Sequence, residues 1–298
     1  MTEPSMTALT GRVALITGAS RGIGRAIAQR LAAHGVAVVL SASARSAEGL
    51  EESCRRIRAV GGKAKAVIAD LADSDECAAL GDRAGKVFGP IDILVNNAAA
   101  IPAFAPPSRI DRAAREATFA VNFHAAVDLT QALLPGMREQ GWGRVLNISS
   151  ETARQPPIPY PGSPALVHKL ALYGAAKAAL ERYTQALAAE LHGSGVHVNA
   201  ILPSKIAHTE GADEVVRALG DSRPEWVEPV EMMAEAAYCA IAGPVAGVVS
   251  TSRDLLQMLQ QPLHALDGTT PLGDALMQGA GSTDSAHTRG AADQQETA

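Results

Sequence analysis

The strongest constraint on this chain is an alternation of short, continuously apolar runs with longer stretches of helical period. Residues 13–16 (VALI) form the first run, closed by Thr17-Gly18. Beyond it Ile23, Ile27 and Leu31 recur at the four-residue spacing of one helix face. Gly35 closes that helix with a residue that accepts positive φ. The rhythm repeats. A strand is predicted over 36–40, then a helix marked by Leu50, Cys54 and Ile57 and stopped by Gly61-Gly62. Next come a strand over 66–69 capped by Asp70, a helix over about 75–88 ended by Gly89-Pro90, and a strand over 91–95. The second half predicts a long helix over about 109–140, strands over 145–148 and 196–202, a helix over 173–192 between them, and a seventh strand over 245–249. Strand runs without polar alternation are buried on both faces, the mark of a parallel sheet covered by helices. The fold class is therefore α/β, a doubly wound parallel sheet in a single domain over 1–262. The extension over 263–298 shifts to Gly, Thr, Ser, Asp, Gln and Ala and reads as disordered from about 279.

Composition narrows the function. A net charge of −5 gives no electrostatic reason to expect nucleic acid or an anionic membrane as partner. No apolar run approaches the roughly 18 residues that span a bilayer. Residues 1–10 carry no basic stretch followed by an apolar core, so no secretory signal is expected. Cys54, Cys77 and Cys239 are odd in number and far apart, which fits a reducing cytoplasm better than a disulfide framework. The eight histidines show no ligand spacing, and no metal is expected.

The segment Thr17-Gly18-Ala19-Ser20-Arg21-Gly22-Ile23-Gly24 joins the first strand to the first helix. Glycines there let the backbone turn tightly, approach a diphosphate and seat the helix on the strand, while free N–H groups at the helix start face the phosphates. The end of the second strand selects the dinucleotide. A carboxylate at Ala42 would hold an adenosine ribose and repel a 2′-phosphate, but the run is Ser41-Ala42-Ser43-Ala44-Arg45. Arg21 and Arg45, with Ser20 and Ser43, suit a 2′-phosphate, so NADP(H) is favoured and NAD(H) is the alternative. Asp70, with Leu71 beside it, is placed to meet the adenine, or simply to cap a helix.

Tyr173 and Lys177 stand four apart near the start of a helix, on one face and one turn apart. A tyrosine with a pKa near 10 is a poor acid–base group at neutral pH. A nearby ammonium favours the phenolate; bringing the pKa to about 7 requires about 4 kcal/mol of differential interaction.

Over about residues 10–250 the chain resembles the short-chain dehydrogenase/reductase family of Rossmann-fold, NAD(P)-dependent oxidoreductases. The family's TGxxxGxG is met by Thr17, Gly18, Gly22 and Gly24, and its NNAG by Asn96-Asn97-Ala98-Ala99. Its helix asparagine matches Asn122, its serine after the fifth strand Ser150, its YxxxK Tyr173 and Lys177, and its VNxxxPG Val198-Asn199 and Pro203-Ser204. The resemblance implies a proton donated by Tyr173 to a ketone or aldehyde oxygen as hydride arrives, or the reverse reaction on an alcohol. It implies that Ser150 hydrogen-bonds that oxygen and that Lys177 lowers the tyrosine pKa and binds the nicotinamide ribose. Asn122 would hold a water linking Lys177 to solvent. Asn97, Ala98 and Pro203 would line the cofactor site. A homodimer or homotetramer pairing through helices at 109–140 and 173–192 is implied, with Ala178, Leu180, Tyr183, Leu187 and Leu191 as one candidate face.

Three departures stand out. Ala99 replaces the usual Gly. Ser204 replaces the Gly after Pro203, and the threonine expected near there is displaced to Thr209, with His208 in the nominal place. The serine and tyrosine are farther apart than the family pattern. The extra chain, within 151–170, is rich in proline and apolar residues and is expected to wall the substrate pocket. Segments 98–108, 151–170 and 204–228 bring Ile101, Phe104, Pro106, Ile158, Tyr160, Leu166, Ile206 and Trp226, which favours an apolar carbonyl or alcohol. Arg154, Lys205 and Arg223 leave room for an anionic group. The rival readings are a non-catalytic NADP-binding scaffold of the same fold, and an enoyl reductase or epimerase.

Overall fold

In the computed structural model, residues 6–101, 105–154, 170–210 and 227–274 are described. Seven strands make the central sheet: β1 (Val13–Thr17), β2 (Ala37–Ala42), β3 (Ala64–Ile68), β4 (Ile93–Asn96), β5 (Gly143–Ile148), β6 (Val196–Leu202) and β7 (Val249–Thr251). All pair in parallel, in the order β3-β2-β1-β4-β5-β6-β7. Helices α1 (Gly22–Ala33), α2 (Ala47–Ala59), α3 (Ser74–Phe88), α4 (Arg112–Phe119), α5 (Ala125–Glu139), α6 (Ala171–Glu190), α7 (Val230–Ala242) and α8 (Ser252–Met258) complete the layers. This is the doubly wound Rossmann-like fold that the apolar runs imply. Side chains of a strand alternate between faces. Accordingly Ala14 and Ile16 of β1 enter the core under α1, α2 and α7, while Val13 and Leu15 enter the one under α3, α5 and α6. The strand order reverses between β1 and β4, and a crevice at the carboxyl ends of such strands is where ligands bind.

Several elements differ from their sequence expectation: β4 runs Ile93–Asn96 rather than 91–95, β5 begins at Gly143 rather than 145, and three further differences have a local cause. The stretch 109–140 is not one helix. α4 gives way to a π-helical turn, Ala120–His124, before α5. The Asn122 amide donates to Thr118 O at 2.8 Å, an acceptor that a regular helix reserves for a backbone N–H. The edge strand β3 begins at Ala64 rather than 66, its register set by pairing with Val38–Ala42 of β2. The seventh strand starts at Val249, not 245. The buried Asn199 amide donates to Val245 O at 2.9 Å and accepts from Val248 N at 3.0 Å, holding that segment as a turn.

Beyond residue 262 the chain still packs. Leu263 is fully buried in the core, and Leu263–His264 pairs antiparallel with Pro271–Gly273. The tail from 275 lies outside the described residues. α1 is tied to α7 by a fork-to-fork ion pair. Arg30 Nε and Nη2 donate to Glu235 at 2.9 and 2.8 Å, both side chains buried, with the Tyr238 ring 4.4 Å from the guanidinium. That clamp fixes the helix whose first turn carries the glycines.

Candidate active site

The glycine turn is built against the end of β4. Gly18 has φ +64, and a Cβ there would come within 2.8 Å of Ala98 Cα. Thr17 Oγ1 accepts from the N–H groups of Asn97 and Ala98 at 3.0 and 3.1 Å, and Asn97 Nδ2 donates back to Thr17 O at 2.9 Å and Gly18 O at 3.1 Å. Gly24 faces this interlock rather than open space, a Cβ there lying 2.6 Å from Gly18 O. It is a buttress of the turn, not a wall of the groove.

A groove of about 580 Å³ opens beside the turn. Gly18, Ser20, Arg21, Gly22 and Ile23 line it, as do Ser43, Arg45, Asp70, Leu71, Asn97 and Ala98. These are eleven of the fifteen residues assigned to the cofactor from sequence. Of the other four, Gly24 buttresses, Lys177 lies in an adjoining cavity, and Tyr173 and Pro203 are not in the groove wall. The wall fits a phosphorylated dinucleotide. Ser41 Oγ is buried there without a hydrogen-bond partner among the described residues, and Arg21 and Arg45 are exposed in the wall and form no ion pair among those residues. Ala42, where an acid would exclude a 2′-phosphate, lines the same wall. Asp70 Oδ1 accepts from Ala72 N at 3.0 Å, a turn that keeps it at the groove's edge.

The corner that holds Ser150, Tyr173 and Lys177 forms where β5 ends. Ser150 caps a short 3-10 turn, Glu151–Ala153, accepting from Thr152 N at 3.2 Å and Thr152 Oγ1 at 2.9 Å. With both Thr152 groups donating, the serine retains its own O–H to give. α6 approaches this turn closely, because a Cβ at Gly174 would collide with Thr152 O. The approach sets the Tyr173 hydroxyl beside Ser150, near enough for the serine to favour the phenolate. Lys177 is buried one turn along, its Nζ donating to Ile148 O at 2.8 Å and lying 5.7 Å from the centre of the Tyr173 ring. Asn122 is buried as well. Its amide donates to Ala100 O at 2.6 Å and accepts from Ala100 N at 3.3 Å, fastening the segment after β4. Between Asn122 and Lys177 lies a cavity of about 10 Å³, the room for about one water. Ala98, Leu71 and Val121 line both this cavity and the large groove, so the two adjoin.

Electrostatics here differ from the sequence expectation. Burial pushes the Tyr173 phenol up to about 12, with the Ser150 hydrogen bond pulling the other way. Burial lowers Lys177 to about 8. Burial is the largest influence on both groups, and the Lys177 ammonium is hydrogen-bonded to the Ile148 carbonyl.

Other expectations resolve as follows. Thr209 lines the groove, one residue later than the family pattern, and His208 is exposed. Leu180, Leu187 and Leu191 are buried within the protomer, leaving Ala178 and Tyr183 half-buried on that face of α6. Phe104, Ile158, Tyr160, Leu166, Arg223 and Trp226 lie outside the described residues, as do residues 155–169 of the insertion. The structural roles of Thr17 and Gly174 were not read from sequence. For Gly174 the signal was available: a glycine beside Tyr173, inside a helix that would favour alanine.

The model of the short chain dehydrogenase family matches residues 12–219. The chain is 37% identical over 204 residues to the ketoacyl reductase HetN of Nostoc sp., covering 68% of this chain and 67% of that one. It is 39% identical over 202 residues to a 3-oxoacyl-[acyl-carrier-protein] reductase of Synechocystis sp., covering 68% and 77%. A short chain dehydrogenase from Burkholderia cenocepacia, solved in complex with NADP, superposes with a TM-score of 0.69 at 31% identity over 82% of this chain and 97% of its own. This protein therefore belongs to the short-chain dehydrogenase family of oxidoreductases.

Proposed function

We propose that the protein is an NADP(H)-dependent carbonyl reductase or alcohol dehydrogenase in which Tyr173 is the general acid and base. The observation that carries this reading is the buried Lys177, one turn from Tyr173 on α6, in a cavity that shares Leu71, Ala98 and Val121 with a groove lined by Arg21 and Arg45. The groove residues would hold the dinucleotide. Arg21, Arg45, Ser20 and Ser43 would take the 2′-phosphate, the α1 N-terminus the diphosphate, and Asp70 and Leu71 the adenine. When bound, NADP(H) supplies or accepts the hydride and, oxidised, brings a positive ring. Ser150 donates its O–H to the carbonyl oxygen and stabilises the charge that develops there. Tyr173 gives that oxygen its proton, a role for which a protonated phenol is the correct starting form. Lys177 returns the proton through the small cavity walled by Asn122. Pro203 and Thr209 border the nicotinamide end.

The substrate is read as an apolar ketone, aldehyde or alcohol, from the apolar residues that segments 98–108, 151–170 and 204–228 carry. The protein is placed in the cytoplasm as a homodimer or homotetramer, with no nucleic acid, membrane or metal partner. Among the described residues no helix is long and apolar enough to cross a membrane. Steady oxidation of NADPH by a panel of ketones and aldehydes, lost in Tyr173→Phe while NADPH still binds, is the expected result. No turnover by the wild type on any of them would overturn the assignment. NADPH should be preferred to NADH in kcat/KM, and light scattering should give a multiple of the chain mass.

A further inference from the structure

The chain after β6 is tied down at both ends of a short path. Its root is Ser204, the residue standing where a glycine was expected. Ser204 N donates to the buried Glu228 Oε1 at 3.1 Å, Ser204 Oγ lies 3.0 Å from Ser252 Oγ, and Arg253 N donates to Ser204 Oγ at 3.0 Å. Its middle, Ile206–Ala207, pairs in parallel with Val227–Glu228, and His208 N donates to Glu228 O at 2.8 Å. Its far end is Glu210. One oxygen of that carboxylate accepts from Gly22 N at 3.0 Å, and the other takes a hydrogen bond from Arg25 Nη1. The path thus runs from the end of β6 to the glycine turn after β1, across the crevice.

Two further observations give this contact a purpose. The N-cap of α1, Arg21, makes no side-chain cap bond, so the helix's first N–H obtains its acceptor from a residue 188 positions away. Thr209, next to Glu210, lies 3.3 Å from where a Cβ of Gly22 would be and lines the groove, whereas Glu210 itself does not. The carboxylate therefore holds the path from outside and leaves the groove open at about 580 Å³. The anchor is breakable by design of its exposure: Arg25 is buried, but the Glu210 side chain is 51% exposed. The Arg30–Glu235 pair on the same helix is sealed at both partners.

We propose that Glu210 is a positioning residue that straps residues 204–210 over the glycine turn, keeps Thr209 against the bound dinucleotide, and so sets how fast the dinucleotide leaves. This rests on the reading of the groove as the NADP(H) site. Although partial burial works against its charge, the Gly22 N–H and the Arg25 cation together hold the Glu210 carboxyl below its usual range, so the strap is fastened at neutral pH.

The test is NADPH release from the full chain, followed by nucleotide fluorescence in stopped flow. Glu210→Gln keeps an acceptor for Gly22 N and removes the charge. Release is expected to quicken about tenfold, the worth of one weakened charge-assisted bond, with association changed less than about twofold and the melting temperature within about 2 °C. Arg25→Met should quicken release similarly, and the double variant no further. If Arg25→Met does not fold, Glu210→Gln decides alone. Unchanged release in Glu210→Gln overturns the proposal. So does slower release, which would mean that the carboxylate competes with the diphosphate for the helix N-terminus. A wild type that binds neither NADPH nor NADH removes the groove assignment itself; binding by the wild type with indifferent variants removes the strap alone.

Discussion

The groove beside the glycine turn and the corner around Lys177 adjoin, yet they are built on opposite principles. In the groove the backbone of the turn is already paired, Thr17 with Asn97 and Ala98, and the charges in the wall are exposed arginines. It is a mould whose shape exists before anything binds. The corner instead holds two ionisable groups away from water, one driven up to about 12 and the other down to about 8. Shape there is cheap to keep, and charge is expensive. The lesson is that loss of a groove residue should show as loss of affinity, and loss of a corner residue as loss of rate.

The sharpest way to break that contrast is Tyr173→Phe, expected to cost about 10³-fold or more in kcat, within the range of general acid–base catalysis. The Kd for NADPH, read by fluorescence titration, should stay within about threefold. A large affinity loss would merge the two regions. Lys177→Met should cost about 10²-fold in kcat/KM, with no fall in melting temperature. The sign follows from linkage. Lys177 titrates near 8 in the folded protein and near 10.5 when unfolded. Between those values the unfolded chain binds more protons, so stability rises with pH across the window; below about 8 the buried ammonium is carried at a cost. Calorimetry of both proteins from pH 7 to 10 checks it. The same pKa gives a rate prediction. kcat/KM for reduction should be level below about pH 8 and fall above it as the ammonium is lost, while Tyr173 remains a protonated acid throughout.

Smaller effects belong to the groove. Arg45→Ala should weaken NADPH about tenfold, the worth of one charge-assisted phosphate contact, and leave NADH nearly unchanged. Equal weakening of both would move the 2′-phosphate site elsewhere. The change at Glu210 falls in the same range and appears in release alone.

The chain's sequence made the groove more legible than the corner, and the reason is physical. A glycine turn announces itself locally, because tight turning and close backbone approach restrict residue choice within eight consecutive positions, Thr17 to Gly24. The parallel, helix-covered sheet followed from apolar runs buried on both faces. The π turn at Asn122 and the late start of β7 were illegible, since each is decided by one asparagine side chain competing for a distant or neighbouring backbone group. The burial of the Tyr173–Lys177 pair is illegible for a related reason. Spacing brings Tyr173 and Lys177 to one face, but only the packed structure shows that Lys177 is spent on Ile148 O and that burial dominates both groups. The Glu210 anchor joins residues 188 apart, and no local pattern encodes it.

The most direct measurement uses NADPH carrying deuterium at its transferable position, incubated with a ketone that the wild type reduces. The alcohol formed should carry the label on its carbinol carbon, and Tyr173→Phe should form almost none. Label at a carbon once joined to its neighbour by a double bond, or equal label from both proteins, would contradict the account.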